Sequence, residues 1–167
     1  MIVSILKKSR IAICRLLEIV LVLAVLVLVL DVLWGVFTRY AWGEQAKWSE
    51  ELARFLLIWI SLLGGAVAFG EKAHLGVDYF VGLMDPRVRK LLAVFGQLVI
   101  LFFAATIFIF GGYRVVADNL GQTTAALQWK MGHVYLALPI AGVFIIFFTL
   151  EQLLETLLSP AQRGEDV

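Results

Sequence analysis

Few side chains in this sequence are equipped for chemistry, and the first to weigh is Asp31, a carboxylate set in an otherwise apolar run. An ionisable group inside a membrane span is costly and marks a pairing or functional site. Three readings are open: a rim or interhelical ion pair with Arg39 or Arg54, a contact to a partner, or a proton or ion site. Counted from Arg15 at ~1.5 Å per residue, Asp31 lies ~24 Å along its helix, toward the outer leaflet rather than the midplane. That depth favours the structural pair. Glu18, close to Arg15, is expected to pair with it near the inner interface. Gln97 and Thr106 are expected to hydrogen-bond between helices, while Glu151 and Glu155 end the last apolar run facing the cytoplasm. The two histidines, His74 and His133, fall in an inner connector and at the outer start of the last run, so they cannot clamp one haem. The single cysteine, Cys14, permits no intrachain disulfide, and no metal-ligand spacing accompanies it. No phosphate-binding glycine loop, nucleophile elbow or pair of catalytic carboxylates is present. The residues therefore argue against an enzyme and against any cofactor.

The elements that must position these groups are four long apolar runs. Hydrophobic residues make up 62% of the 167 and charged residues 16%, far from the balance of a soluble domain. A spanning helix needs about 20 mostly apolar residues, and the chain offers such runs at about 16–37, 53–69, 91–113 and 134–154. The expected fold is all-α: a single polytopic membrane domain, 1–167, of four transmembrane helices. Lys7, Lys8 and Arg10 precede an apolar stretch too long for a signal-peptide core and without a cleavage site, which reads as an uncleaved anchor. The net charge of +1 gives no field for nucleic acid. Nine of the 14 Lys and Arg residues fall on the side of the N-terminus, the second connector and the tail. The positive-inside rule then sets both termini in the cytoplasm.

The opposite, outer side gathers Trp34, Tyr40, Trp42, Trp48 and Trp129, rings that anchor at a membrane interface or mark a docking surface. Within 43–54, Trp48 and Leu52 continue into Phe55 and Trp59 as one apolar stripe. This predicts an interfacial amphipathic segment that runs directly into the second span. Glu50 and Arg54 are spaced to pair along it, and Ser49 is placed to cap its start. Ser61 with Gly65, Gly64 with Ala68, and Ala137 with Ala141 are small pairs four apart, which predict close helix approach. The third span, with Phe95, Phe102, Phe103, Phe108 and Phe110, is bulky and suited to lipid or a broad apolar interface. Repeated halves and interrupted helices around a polar midplane, the marks of a self-sufficient secondary transporter, are missing.

Trp48-Ser49-Glu50-Glu51-Leu52-Ala53-Arg54 leads into a span with Trp59 and Leu63-Gly64-Gly65-Ala66, followed by His74-Leu75-Gly76-Val77-Asp78 in a basic connector. That order resembles the small four-helix membrane subunit, the Q subunit, of tripartite ATP-independent periplasmic (TRAP) transporters. The likeness runs from about Leu16 to Leu154 and includes the Leu138-Pro139 step. It implies a partner, a large multi-span permease subunit that holds the substrate and sodium sites and works as an elevator. A periplasmic substrate-binding protein docks on the outer face, and the small subunit enlarges the fixed scaffold. Substrates in the family are organic acids: C4-dicarboxylates, keto acids, sugar acids or sialic acid. Trp48, Glu50, Glu51 and Arg54 match the family's outer motif, and His74 and Asp78 the inner one. Structural and interface roles are expected for both groups. Two rival readings are a small homodimeric proton-coupled drug exporter, for which Asp31 lies too near the outer rim, and a membrane anchor of a redox complex, which the histidine placement opposes.

Overall fold

A computed structural model describes residues 2–44, 46–71 and 86–158. Among them no strand forms, and four helical spans are long and apolar enough to cross a membrane. The inner-motif residues His74 and Asp78 lie outside the described residues. So does most of the basic second connector.

Helix α1 (Ile2–Trp42) is a single rod, and α2 (Lys47–Gly70) returns against it. The third span joins α3 (Pro86–Phe103), a π-helical stretch Ala104–Gly111, and α4 (Gly112–Asn119) without a break. A short α5 (Met131–Tyr135) leads into α6 (Ala137–Leu158). Long apolar runs choose helix because a bilayer offers no partner for free backbone groups. α2 and α6 pack on each other at the centre, with α1 against α2 and the third span against α6. The outer faces of α1 and α3 stay apolar and open, as lipid-facing surfaces should. Phe95, Phe102 and Phe110 project from the third span, and Leu16, Val22 and Leu26 from the first.

Alanine and glycine set how closely the centre packs. Ala66, Ala104 and Ala141 are fully buried in one cluster with Ile145, and Ala137 is fully buried beside them on α6. The expected Ala137/Ala141 pair is therefore a genuine contact line. A Cβ on Gly142 would stand 2.6 Å from Phe108 Cβ, and one on Gly112 would stand 3.0 Å from Pro139 Cδ. The π stretch meets α6 where those glycines leave room. Its wider turn interrupts the regular i→i−4 ladder, and the Thr106 hydroxyl donates to the carbonyls of Phe102 at 2.7 Å and Phe103 at 3.4 Å. Thr106 thus repairs its own helix and does not bridge to another, contrary to the expectation from sequence. Gln97 does bridge: its Nε2 donates to Thr156 Oγ1 at 3.2 Å.

Candidate functional site

The outer end of α2 holds the first candidate group. α2 starts at Lys47 and runs unbroken, so 47–54 forms its first two turns and not a separate helix. Ser49 does not cap it. Ala46 occupies the N-cap, and the buried Ser49 hydroxyl donates instead to the carbonyl of Asp31 at 3.0 Å. Just above, the Thr38 hydroxyl donates to Gly35 O at 3.0 Å and accepts from the Ala46 N–H at 3.3 Å. These contacts turn the chain from α1 into α2 through only four residues.

Asp31 is 5% exposed, and among the described residues neither carboxylate oxygen has a hydrogen-bond partner. No described ion pair reaches it from Arg39 or Arg54, which corrects the expected rim pair. Arg39 is exposed, and Arg54 is spent on Glu50, its Nη2 donating to Glu50 Oε1 at 3.1 Å. That i,i+4 pair is the one its spacing predicted, and it lies open to solvent, where such pairs contribute little.

Glu50 and Glu51 part company because adjacent helical residues face ~100° apart. Glu51 turns toward the 120–130 connector, and its two oxygens accept the N–H groups of Ala126 and Leu127, each at 3.0 Å. The connector is folded on itself: Thr123 pairs with Lys130, the Thr124 N–H donates to Trp129 O at 2.9 Å, and Gln128 has a left-handed φ of 52°. Glu51 is its clasp. Nothing in the sequence of Ala126 and Leu127 could have revealed this, because every residue but proline carries the same N–H.

Along α2 a second pattern emerges. Phe55 is buried and Leu52 and Trp59 half-buried, so most of the predicted aromatic stripe faces the bundle while Trp48 is exposed. An open stripe runs beside it through Glu50, Arg54, Leu57, Ser61 and Gly65. Neither Gly64 nor Gly65 has another group within 4 Å of where a Cβ would stand. Their smallness is not used among the described residues.

The opposite end is joined by charge. Lys7 Nζ meets Glu155 Oε1 at 2.6 Å, and Arg10 Nη1 lies 3.3 Å from Oε2 of the buried Glu151. Gln152 Nε2 donates to Phe69 O at 2.7 Å, satisfying a carbonyl in the last turn of α2. Glu151 therefore faces α1 and not the cytoplasm. The expected Glu18–Arg15 pair does not form among the described residues. Both instead line a cavity with Arg10, Ile11, Cys14, Gly70 and Glu71. His133 is exposed, and no group of three metal-ligating side chains gathers among the described residues. This arrangement can anchor helices and present surfaces.

The sequence matches the profile of the DctQ component of the tripartite ATP-independent periplasmic transporters over residues 28–159. It is 28% identical over 120 residues to the sialic acid TRAP transporter small permease protein SiaQ of Vibrio cholerae, covering 72% of this chain and 69% of that one. It is 29% identical over 133 residues to the C4-dicarboxylate TRAP transporter small permease protein DctQ of Pseudomonas aeruginosa, covering 73% of this chain and 60% of that one. It is also 29% identical over 112 residues to the sialic acid TRAP transporter permease protein SiaT of Haemophilus influenzae, covering 67% of this chain but 18% of SiaT. In SiaT a segment like this chain thus shares one polypeptide with a far longer remainder.

Proposed function

This chain belongs to the DctQ family of TRAP transporter small permease subunits, and from that premise we propose that it widens the fixed scaffold of a sodium-coupled organic-acid permease. The family match is the observation that carries this reading. Membership makes it a multi-pass inner-membrane protein that works beside a large permease and is not an enzyme. It also displaces the drug-exporter and redox-anchor readings. Sialic acid, C4-dicarboxylates and isethionate are named for its relatives, which supports an organic acid as the substrate. The substrate and the coupling ions belong to the large subunit.

An elevator needs a wall that the bilayer cannot deform while one domain slides past another. The tight α2–α6 centre supports such a wall, and the apolar outer faces supply contact area. The open stripe ending at Ser61 and Gly65 is the part of α2 where a permease helix packs, because small residues admit a backbone closely. With both termini cytoplasmic, the exposed Trp48, Glu50, Arg54 and Trp129 face the periplasm and meet the substrate-binding protein. Glu51 acts one step back, by holding the 120–130 connector.

A tagged pull-down from native membranes in mild detergent, read by mass spectrometry, tests the assignment. Recovery of one large polytopic protein near one-to-one supports it; recovery of only a self-associated species overturns it. For the outer surface, Glu50→Ala combined with Trp129→Ala is expected to weaken binding-protein docking with assembly intact. Unchanged docking would remove that part of the reading.

A further inference from the structure

The cavity of about 340 Å³ between α1 and the end of α2 is lined by Arg10, Ile11, Cys14, Arg15, Glu18, Gly70 and Glu71. Its size falls at the low end for small-ligand sites. The side chains of Arg15, Glu18 and Glu71 make no ion pair among the described residues. Arg10 lies near Glu151, but its buried Nη1 has no hydrogen-bonded partner. Four charged side chains thus converge on one space, and Arg15, Glu18 and Glu71 bring donors and acceptors to spare. The position along the chain matters as much as the composition. Residues 19–30, directly above Glu18, are a charge-free apolar run, so the cavity opens where headgroups give way to hydrocarbon. Val22 and Val25, both exposed and on the same face of α1 at ~100° per residue, continue from it as a track for an acyl chain.

We propose that this cavity holds the headgroup of a phospholipid that carries both a phosphate and a primary ammonium, as phosphatidylethanolamine does. Basic pockets at membrane helix ends take lipid phosphates, and a guanidinium presents paired donors to phosphate oxygens. Arg15 fills that role, and the Arg10 guanidinium, ion-paired to Glu151, adds positive charge beside it. Arginines alone would favour an anionic lipid. Here Glu18 and Glu71 stand beside them, and an anionic headgroup would leave those carboxylates opposed by nothing. An ammonium on the same headgroup satisfies them through its N–H donors. A trimethylated ammonium has no N–H and forfeits that contact. The inference is independent of the transport reading, since it rests on the cavity alone.

The test is native mass spectrometry of the delipidated full chain, loaded with phosphatidylethanolamine, phosphatidylcholine or phosphatidylglycerol at equal mole fraction. One charge-assisted hydrogen bond is worth about tenfold or more in affinity, so retention of the ethanolamine lipid should exceed the other two by about that factor. Arg15→Gln, at an exposed position, should lower its retention to a similar degree. Glu71→Gln, also exposed, should erase most of the preference over phosphatidylcholine. Competition by soluble phosphoethanolamine distinguishes sources: no displacement at millimolar concentration identifies a lipid site, and full displacement reassigns the same chemistry to a free phosphate ester. Equal retention of all three lipids, or unchanged retention in both variants with their thermal unfolding unaltered, would overturn the proposal.

Discussion

Gly142 and Gly65 answer one question in opposite ways. Both are glycines in the interior of apolar helices. At Gly142 an added Cβ would meet Phe108 Cβ at 2.6 Å, whereas at Gly65 it would meet nothing within 4 Å. The first glycine is consumed by the chain's own fold, where α6 lies against the π stretch. The second is held in reserve on a face of α2 that the bundle leaves open. Small residues in a membrane helix therefore report close approach without saying to what.

The contrast makes graded predictions. The largest loss of stability is expected for Gly142→Ala, because the obstructing atom sits next to backbone and cannot swing away. Overpacking of this kind costs about 1–3 kcal/mol, and thermal unfolding in detergent would read it as a lowered Tm. Gly70→Ala should cost less. Its nearest obstacle is Cys14 Sγ at 2.6 Å, the end of a short side chain, although Phe148 follows at 3.1 Å. Adding Cys14→Ala should recover part of the loss, and a double-mutant cycle measures how much. Gly65→Ala should leave the isolated chain unchanged or slightly more stable, since alanine is favoured over glycine in a helix by up to about 1 kcal/mol. A clear loss at Gly65 would erase the distinction between the two faces. The smallest effect on global stability is expected from Glu51→Ala, which should act on the 120–130 connector alone. Amide exchange at Ala126 and Leu127 should accelerate there, while α2 and α6 keep their protection.

The pair of faces also shows what was legible beforehand. Apolar run length announced four helices, because the demand for satisfied backbone in lipid is strong and local. The Glu50–Arg54 pair and the Ala137/Ala141 line were legible for the same reason, being set by helical spacing. Contacts between distant segments were not. Arg10 with Glu151, Gln152 with Phe69 O, and Glu51 with the connector depend on which helices adjoin, and no local pattern encodes that. Asp31 was misjudged on partner choice: Arg54 had a nearer carboxylate one turn away, and Asp31 was left buried without a counter-ion among the described residues. Thr106 was misread because nothing in its neighbours signalled a π turn, whose loosened carbonyls took the hydroxyl.

The central claim is that the open glycine face of α2 receives the large permease. The direct measurement is co-purification of the permease with tagged Gly65→Leu, beside Tm measurements on the isolated wild-type and variant chains. The account predicts an unshifted Tm and permease recovery lowered about tenfold or more, the loss that overpacking a close helix contact produces. Full recovery of the permease with Leu at position 65 would contradict it.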